Sequence, residues 1–375
     1  MFDHARSEPG AFGHGAVGVI SEISDQRLGV RAFRVHDWLR SFFETSGISI
    51  ERSEPGLRAA RLIQQLGGLR GSHVLKVRGA RDLIEKFGPD KSFTRGQAER
   101  CIGNFDEALQ RMRFEDFENL YIHPREGGKL TPGEVLQYMT SRGVFRVGLE
   151  FKCPTCQLHS WVHLDDVSAV STCIYCGQRF DVTPQLKDRD WRYRRSGIFG
   201  REDNQLGGIP VALTLLQLET SLHENLLMYS TSLNFSSTAG AIEYCEADFV
   251  IVVGGATLIG ETPVQILLGE AKTRMPFDGD DVRKLDALAA AIPADLAQVF
   301  IMFSKIDTFT AEEISLARQL NSEGRQRVIL WSREELEPYN AYSRSKERLQ
   351  HAAHGSTLSG MAAATKILWL TDAPN

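Results

Sequence analysis

Apolar residues first recur at helical spacing after Phe33. Trp38, Leu39, Phe42 and Phe43 form one run, and Leu57, Ala60, Leu62, Ile63 and Leu66 form the next, ending at Gly67-Gly68. The first thirty residues have weak periodicity and read as a loose or edge segment. Helices are predicted over 78–87, stopped by Gly88-Pro89, over 94–102 with Thr94 as cap, and over 131–140 behind Thr131-Pro132-Gly133-Glu134. Such short helices with basic residues fit a helix-turn-helix or winged unit, or a helical scaffold with solvated charges. The scaffold is preferred, because no base-reading pattern stands out.

From Gly143 the pattern turns extended, with strands predicted over 144–152, 158–164 and 178–182. A basic stretch over 187–201 follows, in which Trp191 and Tyr193 are available for stacking. Beyond it the order is α-β-β-β-α-β-α-β: a helix from Pro210 to Leu222, strands over 228–235, 247–253 and 264–272, a helix over 281–292, a strand over 299–303, a helix over 311–320 and a strand over 328–331. The expected fold class is α/β on a mixed sheet, preceded by a mostly helical region. The organisation reads as a helical region over 1–143, a cysteine-bearing module over 144–185, a basic linker over 186–205, the α/β domain over 206–345 and a tail over 346–375.

Composition narrows the function classes. The chain has 375 residues, 42% hydrophobic and 24% charged, as expected of a soluble protein with two or three domains. No uninterrupted apolar run reaches the ~18 residues of a membrane span, and the first residues lack the order of a signal peptide. No membrane partner is expected. The net charge of −5 removes a chain-wide grip on nucleic acid, so any such binding needs local basic patches.

Six cysteines carry the first piece of chemistry. Cys153, Cys156, Cys173 and Cys176 form C-x2-C, sixteen intervening residues, C-x2-C, the spacing of a tetrahedral zinc site. Gly177 supplies the positive φ such a turn needs. Four thiolates leave no open position for substrate water, so the expected Zn²⁺ is structural. His159 and His163 are spare donors. Paired cysteines without an export signal fit a reducing compartment, the cytoplasm, and Cys101 and Cys245 read as small buried hydrophobes.

Alternation carries the second. Glu246 and Asp248 share one face of their strand, as do Glu270 and Lys272. Folding the two strands as a hairpin about Ile259 sets Asp248 opposite Glu270, at the end of an apolar row of Val250, Val252, Ile266 and Leu268. Burying such a cluster is costly unless something neutralises it. A divalent cation on Asp248 and Glu270 would do so, with Lys272 orienting or helping to deprotonate an attacking water. A strand-end salt bridge at Lys272 is the plain structural alternative.

Cys245-Glu246-Ala247-Asp248-Phe249-Val250-Ile251-Val252, followed by Leu268-Gly269-Glu270-Ala271-Lys272, resembles the PD-(D/E)xK, or restriction-endonuclease-like, nuclease superfamily. The element order from 206 onward is similar to its core, and the cysteine module resembles a zinc ribbon. Ala247 stands where the superfamily's name has proline, and no Q-x-x-x-Y motif is present. The resemblance implies Mg²⁺ or Mn²⁺ on Asp248 and Glu270, Lys272 as the catalytic lysine, and a helix carboxylate for which Glu219 is best placed and Glu224 second. Glu246 joins the catalytic set. It implies a nuclease, acting on DNA before RNA, in restriction, anti-phage defence or repair. Arg192, Arg194, Arg195, Arg283 and Lys284 are the expected nucleic-acid contacts. The alternatives are a non-catalytic DNA-binding or assembly module that keeps the fold, and an effector switched on by a protein partner or ligand at the N-terminal region.

Overall fold

The computed structural model describes residues 17–24, 27–103, 114–120, 122, 128–186, 190–201, 207–222, 226–237, 242–254, 256–257, 260–261, 264–321, 327–337, 339–350 and 354–371. The chain forms two compact units, one of residues 1–64, 68–72 and 205–375, the other of 65–67 and 73–204.

The first elements are β1 (Val17–Ser24) and β2 (Arg27–Arg34), an antiparallel hairpin where weak periodicity predicts a loose or edge segment. Next come α1 (Val35–Glu44), β3 (Ile48–Arg52) and α2 (Glu54–Leu66). β3 interrupts a stretch whose pattern is otherwise helical. α3 (Arg78–Lys86), β4 (Phe93–Thr94), α4 (Arg95–Gly103) and α5 (Pro132–Ser141) follow, α5 behind a Thr131–Glu134 capping box. The extended stretch gives β5 (Phe145–Lys152), β6 (His159–His163), β7 (Val170–Thr172), β8 (Arg179–Asp181), the short α6 (Thr183–Leu186) and β9 (Arg192–Arg195). The remaining chain is α7 (Gly208–Ser221), β10 (Leu226–Ser237), β11 (Cys245–Gly254), the small pair β12 (Ala256–Thr257) and β13 (Gly260–Glu261), β14 (Val264–Lys272), α8 (Gly279–Ala290), β15 (Ala297–Lys305), α9 (Ala311–Leu320), β16 (Val328–Trp331), α10 (Arg333–Leu336) and α11 (Leu358–Thr365). No helix among the described residues is long and apolar enough to cross a membrane.

The first unit is built on a six-stranded mixed sheet in the order β16-β15-β14-β11-β10-β3. Neighbours from β3 to β14 run antiparallel, whereas β14, β15 and β16 are parallel because α8 and α9 cross between them. Both faces are covered, so the strands are apolar nearly throughout. Val250, Val252, Ile266, Leu268, Ile301 and Phe303 pack in one core with Leu285 and Leu288 of α8, Ala317 and Leu320 of α9, and Leu39 and Phe43 of α1. Ser304 points the other way and meets Thr214 of α7, whose hydroxyl donates to it at 2.8 Å. α7 is buried continuously from Val211 to Leu218, as a helix that is apolar all round must be. Gly269 is fixed by contact: a Cβ there would come within 2.0 Å of the Phe249 ring, its partner across the sheet.

The second unit holds the four-stranded sheet β4-β9-β5-β6 and the separate hairpin β7–β8. β9 pairs antiparallel with β4 and β5. The basic stretch read from sequence as a linker therefore contributes an interior strand.

Candidate functional site

β11 and β14 pair in the register expected from their alternation, Phe249 opposite Gly269 and Val250 opposite Leu268, which carries Asp248 opposite Glu270. The turn centre at Ile259 lies outside the described residues. Asp248 accepts the Ala271 backbone N–H at 2.8 Å through Oδ2. Glu270 Oε1 lies 2.5 Å from Lys272 Nζ, and Asp281 Oδ2 of α8 lies 3.6 Å from the same nitrogen. Glu246 sits further back on β11 and accepts the Ser232 hydroxyl at 2.6 Å.

Three carboxylates, Asp248, Glu270 and Asp281, thus share one ammonium, a formal charge of −2 if all are ionised. Burial, then the charge of Asp248, pushes the Glu270 carboxyl up to about 8, against the pull of Lys272. Burial also pushes Asp248 up to about 6, opposed by the Ala271 amide and Lys272 and reinforced by Glu246 and Asp281. Burial works against the charge on Lys272, but Glu270 and Asp281 outweigh it and raise its pKa. The lysine holds its proton while the carboxylates resist losing theirs. Burial is the largest cause at both carboxyls, and a further positive charge beside them would offset it.

Asp281 escapes sequence reading because it carries another signal. It is the third helical residue of α8 and closes a capping box with Asp278, whose backbone N–H it accepts at 3.1 Å. Its Asp278-Gly279-Asp280-Asp281 context reads only as a helix start. Glu219 is half-buried near the C-terminal end of α7, the helix on the opposite face of the sheet from α8. Glu224 lies outside the described residues. Lys305, register partner of Lys272 on β15, is drawn aside by Glu313 of α9, at 3.0 and 3.2 Å, and both are buried. Glu313 also accepts the backbone N–H groups of Phe277 and Thr310, which pins the loop between Lys272 and α8.

In the second unit Cys153, Cys156, Cys173 and Cys176 come together, with all four sulfurs within 4.8 Å of one another. The Cys153–Cys176 and Cys156–Cys173 distances are 3.7 and 3.5 Å, close to the roughly 3.8 Å edge of a tetrahedron with Zn–S bonds of about 2.3 Å. The two turns repeat one geometry. Gln157 N–H donates to the Cys153 carbonyl and Gly177 N–H to the Cys173 carbonyl, each at 2.9 Å, with φ of 63° and 72°. The Cys176 and Tyr175 amides draw the Cys173 thiol down to about 6, against burial. At Cys156 the Leu158 amide pulls downward, but burial and the neighbouring thiols push it up to about 12. Leu149, Phe151, Phe180 and Val182 close a small core beneath the buried pair, Cys153 and Cys173.

The basic residues divide. Arg195 is 7% exposed and donates to the Ile84 carbonyl at 2.9 Å, so it supports the fold instead of presenting charge to a ligand. Arg192 pairs with Glu150 at 3.1 Å and donates to Ser92. Arg194 pairs with Asp90, donates to the Pro89 carbonyl and lies 5.7 Å from the Trp161 ring centre. Tyr193 stacks on Phe93, while Trp191 is exposed. Lys187 lies outside the described residues. On α8, Arg283 pairs with Glu243 and Asp280, and Lys284 with Asp280.

No family model matches the chain, and no curated protein matches it. Among solved structures, Can2 from Sulfobacillus thermosulfidooxidans, in complex with cyclic tetra-adenylate (cA4), is similar over 83% of this chain at 9% identity and a TM-score of 0.29. The likeness spans 64% of that chain, less than two thirds of its length. At that level of likeness, function is argued from the residues.

Proposed function

We propose that the first unit is a metal-dependent nuclease that hydrolyses phosphodiester bonds, of DNA before RNA, in anti-phage defence, restriction or repair. One arrangement carries this reading. The register holds Asp248 against Glu270, with Lys272 beside them, so that two carboxyls raised by burial face one ammonium.

The donor set fits Mg²⁺ or Mn²⁺. Asp248 and Glu270 are hard oxygen donors, and Oδ1 of Asp248 and Oε2 of Glu270 have no protein partner among the described contacts. An ion held there would polarise the scissile phosphate and acidify a bound water. Asp248 fixes the strand pairing through Ala271 while offering its other oxygen. With its pKa raised, Lys272 serves as a fixed positive charge that orients phosphate and water, not as a resting base. The four cysteines are assigned to a structural Zn²⁺, and Arg192, Arg194 and Trp191 to contact with the nucleic acid.

The test is incubation with plasmid, single-stranded DNA and RNA, with and without Mn²⁺. Cleavage by the wild type that stops in EDTA and in Asp248→Ala, Glu270→Ala and Lys272→Ala is the expected result. Cleavage in EDTA, or by all three variants, overturns the assignment. A second reading, a nuclease fold kept for binding or assembly, is favoured by the Glu270–Lys272 pair, which is the strand-end salt bridge of the plain structural alternative. It predicts no cleavage under any condition.

A further inference from the structure

Lys272 has two carboxylates within reach, on different elements. Glu270 is two residues back on its own strand, and its Oε1 lies 2.5 Å away. Asp281 belongs to the first turn of α8, and its Oδ2 lies 3.6 Å away, outside ordinary hydrogen-bond distance but within ion-pair range. The Asp278 amide holds that oxygen in place, so Asp281 is an anchored acceptor and not a wandering surface charge. Glu270 is also one of the two carboxylates assigned to the divalent cation. An ammonium at Oε1 and a divalent cation at Oε2 of one carboxylate repel each other, so occupancy of the metal site favours a shift of Lys272 toward another anion.

We propose that Asp281 is that anion: a positioning residue that takes over Lys272 when a divalent cation claims Glu270 and keeps the lysine beside the site. The proposal rests on the nuclease reading and deepens it. Without Asp281, Glu270 is the one carboxylate within ion-pair distance of Lys272 among the described residues, and an ion that draws Glu270 away leaves the lysine without a close partner. With Asp281, the same movement exchanges one ion pair for another. The neighbouring Asp280 cannot substitute, because it is engaged by Arg283 and Lys284.

The test is a double-mutant cycle read by Mn²⁺ binding to the full chain, followed by electron paramagnetic resonance of the free ion, with Asp248→Ala marking the binding that belongs to this site. Asp281→Asn keeps an oxygen for the Asp278 amide, so the cap survives, and thermal melting verifies the fold. Asp281→Asn is expected to weaken Mn²⁺ binding about tenfold, within the range of coupling between contacting members of one network. Lys272→Met should tighten binding by removing the competitor for Glu270, and in that background Asp281→Asn should change it less than twofold. Asp280→Asn, a charge removed nearby without contact to Lys272, should leave binding unaltered. Equal weakening by Asp281→Asn in both backgrounds means that Asp281 acts only as background charge and overturns the proposal alone. So does an unchanged constant in a wild type that binds Mn²⁺. A wild type with no Asp248-dependent Mn²⁺ binding overturns the metal reading as well.

Discussion

Asp248 reaches across to β14 and accepts the backbone N–H of Ala271, the residue between Glu270 and Lys272. One carboxylate oxygen therefore fastens the two motif strands together at the point where the charged side chains begin. Asp248→Asn keeps an acceptor for that N–H and loses the charge, whereas Asp248→Ala loses both. Cleavage should fall by at least 10²-fold in each, with stability falling only in Asp248→Ala, by about 1–3 kcal/mol for the unpaired amide. Denaturant melts of the two variants check this; equal stability would mean the Ala271 contact contributes nothing.

Stability without a metal should depend on pH in a direction fixed by the raised carboxyls. Asp248 and Glu270 lie near 6 and 8 in the fold, above their ordinary values. The folded protein then holds more protons than the unfolded chain, so stability is full at low pH and lost as pH rises through those values. Between pH 5 and 8.5 the metal-free midpoint should drop by on the order of 10 °C, taking about 1.4 kcal/mol per pH unit for each carboxyl and about 2–4 °C per kcal/mol for a unit of this size. Glu270→Gln, or saturating Mg²⁺ with the wild type, should flatten the curve. Parallel curves for wild type and Glu270→Gln would contradict the assignment of the shift to this pair.

Zinc should copurify at one ion per chain. Cys153→Ser places a poorer ligand in the buried half of the cluster and should release the metal and unfold the β5–β6 and β7–β8 turns. Cys101→Ser, at a half-buried site outside the four-cysteine cluster, should keep full zinc content. Elemental analysis of both proteins decides it, and an unloaded wild type purified under reducing conditions would remove the zinc assignment.

The arginines of β9 should separate by assay. Arg195→Ala strands the buried Ile84 carbonyl and should cost about 1–3 kcal/mol in a melt. Charge reversal at Arg192 and Arg194 should instead weaken nucleic-acid binding and flatten its salt dependence. Unchanged affinity across a salt series would move the binding face elsewhere.

What the chain discloses depends on how local each cause is. The Asp248–Glu270 register is readable because the charged residues at the strand ends, Glu246 and Asp248 on one and Glu270 and Lys272 on the other, are spaced two apart and so mark one face of each strand. The cysteine turns are readable because spacing alone sets their geometry. β3 is hidden: five residues between two strong helical runs become a strand only through pairing with β10, far along the chain. β9 is hidden by its charge, since four residues with three arginines look solvated, while the fold buries Arg195 under a carbonyl it satisfies. Asp281 is hidden by doing two things at once, because a helix cap is sufficient reason for an aspartate at that position.

Lys305 stands beside Lys272 in the parallel register, an equal length of side chain on the next strand over. The two differ only in company. Glu313 sequesters Lys305 in a buried ion pair, so the acidic cluster sees a single ammonium and stays anionic. Replacing Glu313 with glutamine would cost about 3–5 kcal/mol, as for any broken buried pair, and would also release a second cation next to the first. A second ammonium would make the cluster less anionic by one charge and should weaken the binding of the proposed divalent ion. On the metal-site proposal, the anionic character of the cluster depends on a helix glutamate that touches neither Asp248 nor Glu270.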